Sequence, residues 1–508
     1  MKNRYRSFFI AALLVVSALP DIIGCIRSVS ELSYSGLVFN PIDGYSYLAK
    51  MQIGKSGEWL FTLPFTANPG EGRLLFPFYI ASGHIFGWLG IPLSVGFVVL
   101  RLLCFGLLIL SLIRLSEKVF NDNFSLIFLV LTAGGGLGWL LLPTGNFGAD
   151  FWVAEAFPFL SGLANPHFPL ALCLMVFTIL LFSDSNQAAK YPGIMFCGFF
   201  LSILSPFGFF VSCGVLSISW LWERINGRQS VIWPLLIFLF SGIPYAAYQY
   251  WAVNSTPEFA AWTAQNQTPS PAVWDVALTF SPWIVLIVLG WRGIWAQNEN
   301  PIIRKLIIWM VVGLVLTVIP FNLQRRFLIG LYIPIACLGF LGLDRAASTI
   351  KIQARKLAVI CTALSLITPF LLVVMTSSVI ASHNPLYYFQ PGEVSAIQWL
   401  SKQDGGRDLV LADGQTGSLI PAISRLRVLY GHPFETIDAE NKKDQVEDFF
   451  SGKMTRDEEE KYLKENSIKW IFYGSREQNL GKPDILKDKN PIKQFENVSI
   501  FSVTELVR

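Results

Sequence analysis

Eleven stretches of this 508-residue chain are too apolar to sit in water, and each approaches the length that crosses a bilayer. They lie at about 8–26, 91–113, 124–143, 166–182, 191–205, 207–222, 231–251, 276–296, 303–320, 327–343 and 357–381. About 20 residues of helix cross ~30 Å of hydrocarbon. Inside lipid every backbone polar group must be paired within the protein, so unbroken apolar runs of this length imply helices. The fold class predicted is an α-helical polytopic membrane protein with about eleven transmembrane helices. Composition agrees, with 53% hydrophobic and 15% charged residues, where a soluble chain carries about 25% charged.

The charges divide the chain in two. Residues 1–381 hold 22 basic and 15 acidic side chains, and residues 382–508 hold 17 and 20. The first region is read as the transmembrane domain, with a long outer loop at 27–90, and the second as a water-soluble domain. The net positive charge belongs wholly to the membrane region, where it is a topology signal and not a nucleic-acid footprint. All seven cysteines lie in apolar segments, so the soluble domain stands on its own core without disulfides.

Orientation follows from the loops. The first apolar run follows Lys2, Arg4 and Arg6 and lacks a clean small-x-small cleavage site, so it reads as an uncleaved helix with its N-terminus in the cytoplasm. The loops assigned to the cytoplasm then carry 15 Lys and Arg, and those outside carry six: Arg27, Lys50, Lys55, Arg73, Arg325 and Arg326. Cytoplasmic loops favour Lys and Arg, which puts the C-terminal domain outside. Counting the apolar segment 74–90 as a span would reverse every later loop. It is expected to be a helix lying at the outer membrane face.

Polar chemistry collects in the outer loops. In the first, Asn40-Pro41-Ile42-Asp43-Gly44-Tyr45-Ser46-Tyr47 leads into a helix predicted over 45–55, followed by Gly57-Glu58-Trp59 and Pro77-Phe78-Tyr79. Asp43 at the helix start can cap it or act as a general base at the membrane surface. These residues resemble membrane glycosyltransferases of the C type, in particular the group of protein O-mannosyltransferases and the bacterial aminoarabinose transferase. Those enzymes carry, after the first span, an acid, a Tyr four on, a Gly-acid-Trp about fifteen on, and a Pro-x-x-Tyr interfacial helix. Asp43, Tyr47, Gly57-Glu58-Trp59 and Pro77–Tyr79 follow that order. This chain has Gly44 where the family often has a second acid, and only Pro77 of a frequent proline pair.

The resemblance implies a transferase that takes a sugar from a polyprenyl-phosphate carrier and delivers it to a glycan, lipid or protein acceptor at the outer face. It implies a bacterial plasma membrane, with Asp43 deprotonating or orienting the acceptor and Tyr47 and Glu58 in the binding site. The second outer loop adds Asp150 and Glu155 among aromatics, then His167 at the start of a span. Glu155 is a second catalytic candidate, and Asp150 and His167 are binding candidates. A divalent ion held there with the donor phosphate is the only cofactor in view, on a weak ligand signature. Gln324-Arg325-Arg326 forms the only cationic outer site after residue 73. Arg pairs bind phosphate bidentately, so these three are assigned to the donor phosphate. Gly134-Gly135-Gly136 has no following Lys-Ser/Thr and reads as close packing, not a phosphate loop.

The C-terminal region alternates helix and strand, predicting a small α/β domain with a largely parallel sheet. Gly431-His432-Pro433-Phe434-Glu435-Thr436 follows a predicted strand, where α/β folds place ligands. His432 is therefore an acceptor-contact candidate, weighed against a structured turn. Two rivals stand beside the enzyme: a transporter or flippase of lipid-linked glycans, and a non-catalytic membrane assembly protein. A transporter calls for repeats and polar groups at mid-membrane; no convincing repeat is found, and the polar groups cluster at the outer surface.

Overall fold

A computed structural model describes residues 2–29, 32–120, 126–183, 187–228, 230–403 and 407–507. Each predicted apolar run is helical over most of its described residues. The first residues of the run at 124–143 lie outside the described residues. Among the described residues four helices are individually long and apolar enough to cross a membrane: Arg6–Arg27, Leu93–Phe120, Gln324–Leu341 and Ala354–Ala381. Two bent pairs raise the number to six, Leu126–Ala133 with Gly138–Thr144 at 50° and Val273–Thr279 with Trp283–Trp295 at 79°. That is fewer than the eleven expected. The remaining helices are shorter or less apolar, such as the 16-residue His167–Phe182 and Pro301–Leu316. A 16-residue helix rises only about 24 Å.

The chain packs into two units. The first comprises residues 1–20, 99–248 and 267–378, and is helical. Its most telling feature is the break after Leu126–Ala133, where Gly134-Gly135-Gly136 passes close to the helix Val273–Thr279. A Cβ on Gly136 would stand 1.5 Å from the Thr279 carbonyl oxygen. Breaking a helix frees backbone N–H groups that must find partners. Asp150 supplies one: its Oδ2 accepts from Gly136 N (3.0 Å), Gly138 N (3.3 Å) and Thr368 Oγ1 (2.7 Å).

The second unit gathers residues 21–98, 249–266 and 379–508, so the first outer loop packs with the C-terminal region. Strand β1 (Ser33–Tyr34) pairs antiparallel with β2 (Tyr388–Phe389). A five-stranded sheet follows, from β3 (Leu409–Leu411), β4 (Arg427–Val428), β5 (Trp470–Tyr473), β6 (Lys493–Phe495) and β7 (Val498–Ser502), in the order β4-β3-β5-β7-β6. β3 runs parallel to β4 and β5, whereas β7 is antiparallel to both β5 and β6. The sheet is therefore mixed, not largely parallel. Two residues join β6 to β7, with Glu496 in the left-handed region at φ 47°, and so short a connection can only return antiparallel. The outer edge of β4 is covered from the first loop: Val428 N donates to Pro64 O, and Arg427 to the carbonyls of Thr66 and Ala67. An edge strand is thereby closed to foreign pairing.

The first-loop helix spans Pro41–Lys55, starting four residues before the expected 45. Proline is preorganised for the first helical position. It crosses the helix Pro77–Trp88 in close contact at Gly54 and Gly83, where an added Cβ would meet the carbonyls of Ile80 and Met51 at 1.8 and 1.9 Å. Twelve residues rise about 18 Å, too little to cross hydrocarbon, as the loop charges required of the segment 74–90.

Candidate functional site

Asp43 is the third residue of Pro41–Lys55, in its first turn. Its carboxylate does not cap the helix. Oδ2 accepts from Asn40 Nδ2 at 2.6 Å, and Oδ1 lies 3.2 Å from His432 Nε2. The opposite ring nitrogen of His432, Nδ1, accepts from the backbone N–H groups of Phe434 and Glu435 at 3.1 and 3.2 Å. A neutral imidazole accepts at one nitrogen and donates from the other, so this turn puts the proton on Nε2, facing Asp43. His432 is buried against Phe65, while the Asp43 side chain is 40% exposed. The result is an accessible carboxylate held at both oxygens by residues far apart in sequence. The turn expected at 431–436 is also present, since Thr436 Oγ1 accepts from Gly431 N and His432 N.

Beside it lies a group that sequence reasoning missed. Lys50, counted above as an outer-loop charge, is only 1% exposed. Its ammonium donates to Glu435 Oε1 (2.8 Å) and Ser46 Oγ, and lies over the rings of Phe76 (4.4 Å), Tyr47 (5.0 Å) and Phe61 (5.5 Å). Burial pushes the Glu435 carboxyl up, but the charge of Lys50 and the bonds from Lys50 and Ser46 oppose it and hold the group below its ordinary value. Only the four-residue spacing of Ser46 and Lys50 on one helix hinted at this cluster.

Tyr47 stacks on Tyr79 at 4.4 Å between ring centroids. Glu58 bridges Arg407 and Arg425, the latter at 2.7 Å, and so ties the first loop to the C-terminal region. Glu58→Gln keeps an acceptor and removes the charge. Since Glu58 is one-third exposed, the expected loss is about 1 kcal/mol. It should shrink in 1 M salt, and denaturant midpoints at low and high salt check this.

In the first unit, Asp150 and Glu155 are committed to different partners. Asp150 holds the glycine break, and burial pushes its carboxyl up to about 6 while the bonds from Thr368, Gly136 and Gly138 limit the rise. Glu155 is buried, with Oε1 3.5 Å from Arg325 Nε. The Arg325 guanidinium lies 5.3 Å over Trp152, and that of Arg326 lies 6.0 Å from the Phe207 ring centre. Gln324 holds its own loop: Nε2 donates to Ile319 O at 2.6 Å, and Oε1 accepts from Ser270 N. His167 opens the helix His167–Phe182, buried with its ring 4.0 Å from that of Phe168. Thus Asp43, Tyr47, Glu58 and His432 belong to the second unit, and Asp150, Glu155, His167 and Gln324–Arg326 to the first. Among the described residues no three His, Cys, Asp or Glu side chains converge to hold a metal ion.

No family model matches the sequence, and no curated protein matches it. Solved structures do match the fold. It is that of the C-type membrane glycosyltransferases, as the first loop led us to expect. The oligosaccharyltransferase of Archaeoglobus fulgidus in its apo form superposes with a TM-score of 0.55 at 13% identity, over 92% of this chain and 69% of that one. ArnT from Cupriavidus metallidurans, bound to undecaprenyl phosphate, gives 0.51 at 12% identity over 98% and 99%. The mycobacterial arabinofuranosyltransferase AftD gives 0.51 at 15% identity over 97% and 41%. Identities this low establish a shared fold. With its apolar helices, that fold makes the chain an integral membrane protein.

Proposed function

We propose that the chain transfers a sugar from a polyprenyl-phosphate carrier to an acceptor at the outer membrane face, with Asp43 as the base. The observation that carries this is the Asp43 carboxylate itself, exposed on one side and oriented by His432 and Asn40 on the other. A carboxylate offers about four acceptor positions, so one remains for an acceptor hydroxyl. The acceptor O–H proton passes to Asp43, the acceptor oxygen bonds to the anomeric carbon, and the carbon–oxygen bond to phosphate breaks. The phosphate leaves with the electron pair, and attack from the opposite side inverts the anomeric centre. A fold neighbour seen with undecaprenyl phosphate supports the donor class.

In this proposal the shorter apolar helices also cross, giving eleven passes. The N-terminus is cytoplasmic and residues 382–508 lie outside, on the charge asymmetry of the loops. Residues 1–381 supply the donor-binding groups Arg325 and Arg326. Glu155, first considered as a catalytic carboxylate, becomes a positioning residue that holds Arg325 from its buried side. Purified protein is to be assayed for release of polyprenyl phosphate from lipid-linked sugars. Arg326→Ala and Arg325→Lys should each raise the donor KM about ten-fold with a smaller change in kcat, because a bidentate charge-assisted contact is lost. Unchanged KM in both variants would remove the arginines from phosphate binding.

A further inference from the structure

A second polar site lies at the far end of the helix Pro206–Ile225 from Arg326. Phe207, near one end of that helix, faces Arg326. Glu223, sixteen residues on, stands about 24 Å along the axis. There a cavity of about 160 Å³ opens between the ends of several apolar helices. Its polar wall carries Lys190, Lys305, Ser219, Trp220, Glu223 and Ser230. Both lysines are more than nine-tenths buried.

The carboxylate that the described residues bring to that wall is already taken. Glu223 Oε1 accepts from Arg304 Nη2 at 2.6 Å, and its Oε2 accepts from Ser230 Oγ at 2.7 Å. Among the described residues Lys305 donates long bonds to neutral oxygens, Ser183 Oγ at 3.3 Å and Pro301 O at 3.4 Å. Two further donors are buried without a hydrogen-bond partner among the described residues, Ser219 Oγ and Trp220 Nε1, and Ser219 is 2% exposed. A buried donor left without an acceptor keeps its desolvation penalty uncompensated. Residues that carry an ammonium, an indole N–H and a hydroxyl line one cavity, a donor set that suits an acceptor-rich anion. The remaining wall, Phe182, Leu216, Val231 and Leu235, is apolar.

We infer that this cavity binds the phosphate headgroup of an anionic membrane lipid, with the apolar wall taking the start of its acyl chains. The phosphate oxygens accept from Lys305, Trp220 and Ser219, with the Lys190 ammonium beside them. Glu223 sets the limit of the anion's approach and is neutralised by Arg304. The inference is independent of the transfer reaction.

The test uses the full chain, delipidated and placed in nanodiscs of phosphatidylcholine with or without phosphatidylglycerol. Binding is followed by native mass spectrometry and thermal melting. Wild-type protein should retain phosphatidylglycerol over phosphatidylcholine and melt higher with it, while millimolar inorganic phosphate should have little effect. Lys305→Gln should weaken phosphatidylglycerol binding about ten-fold, without lowering the melting temperature in phosphatidylcholine, because a buried ammonium has been removed. Ser219→Ala/Trp220→Phe, which removes both neutral donors, should weaken the same binding and carries the test should Lys305→Gln fail to fold. Undiminished phosphatidylglycerol affinity in the variants would overturn the site. Equal stabilisation by inorganic phosphate alone would overturn its assignment to a lipid.

Discussion

Asp43→Asn is expected to leave the protein folded and to lower sugar transfer by about 10²–10⁴-fold, the range usual for loss of a general base. The amide oxygen still accepts from His432 Nε2–H, now 3.2 Å from Asp43 Oδ1. Asn40 can turn its side chain to present oxygen to the new amide, so the second contact survives as well. Neither carboxylate oxygen bonds a backbone N–H of the helix start, so no cap is lost. The same substitution thus separates two roles that looked alike in sequence. A residue that only shapes the loop tolerates Asn, and a proton acceptor does not. Transfer from a polyprenyl-phosphate donor and the thermal midpoint are measured on the same preparation. Full activity with an unchanged midpoint would take the base role away from Asp43.

How much of this could be read beforehand divides along physical lines. A lipid-facing helix carries its signal within its own twenty residues, and most of the apolar runs are helical, two of them with a sharp bend that hydropathy alone does not mark. The helices of the C-terminal region, such as Ala439–Phe450 and Arg456–Glu465, are equally local. Pairings between distant segments were not legible. Asp43 and His432 stand 389 residues apart, and no spacing rule in one sequence joins them. Lys50 looked like a solvated loop charge because its three aromatic neighbours come from positions 47, 61 and 76, only one of them on its own helix. Asp150 is a binding candidate by its place among aromatics, and nothing local to it foretold that its Oδ2 accepts from Gly136 N and Gly138 N. Composition placed a boundary near 381, yet strands β1 and β2 and the cover over β4 join the first loop to the region beyond it.

The same joining makes Lys50→Met the most damaging stability change expected in the second unit. Methionine matches the lysine stem and can fill the space among Tyr47, Phe61 and Phe76, so packing is nearly conserved. What is lost is the ammonium 2.8 Å from Glu435 Oε1. Glu435 keeps only Ser46 on that oxygen, and its Oε2 is buried without a partner among the described residues. Breaking a buried pair by removing one charge costs about 3–5 kcal/mol, whereas replacing both partners by neutral groups is often close to neutral. Lys50→Met/Glu435→Gln should therefore recover most of the loss, measured by denaturant midpoint. Acid supplies the second arm. In the wild type the Glu435 carboxyl lies below its ordinary value, so its stabilisation is present above about pH 4.3, the unfolded value, and fades as pH falls through the folded one. Without Lys50, burial should win and raise the carboxyl above that value, so the folded variant binds its proton before the unfolded chain does. The gap between wild type and Lys50→Met should narrow from pH 7 toward pH 4. A gap that stays constant over that interval would place the lysine's contribution in its stem and the aromatic rings, and not in the charge it brings to Glu435.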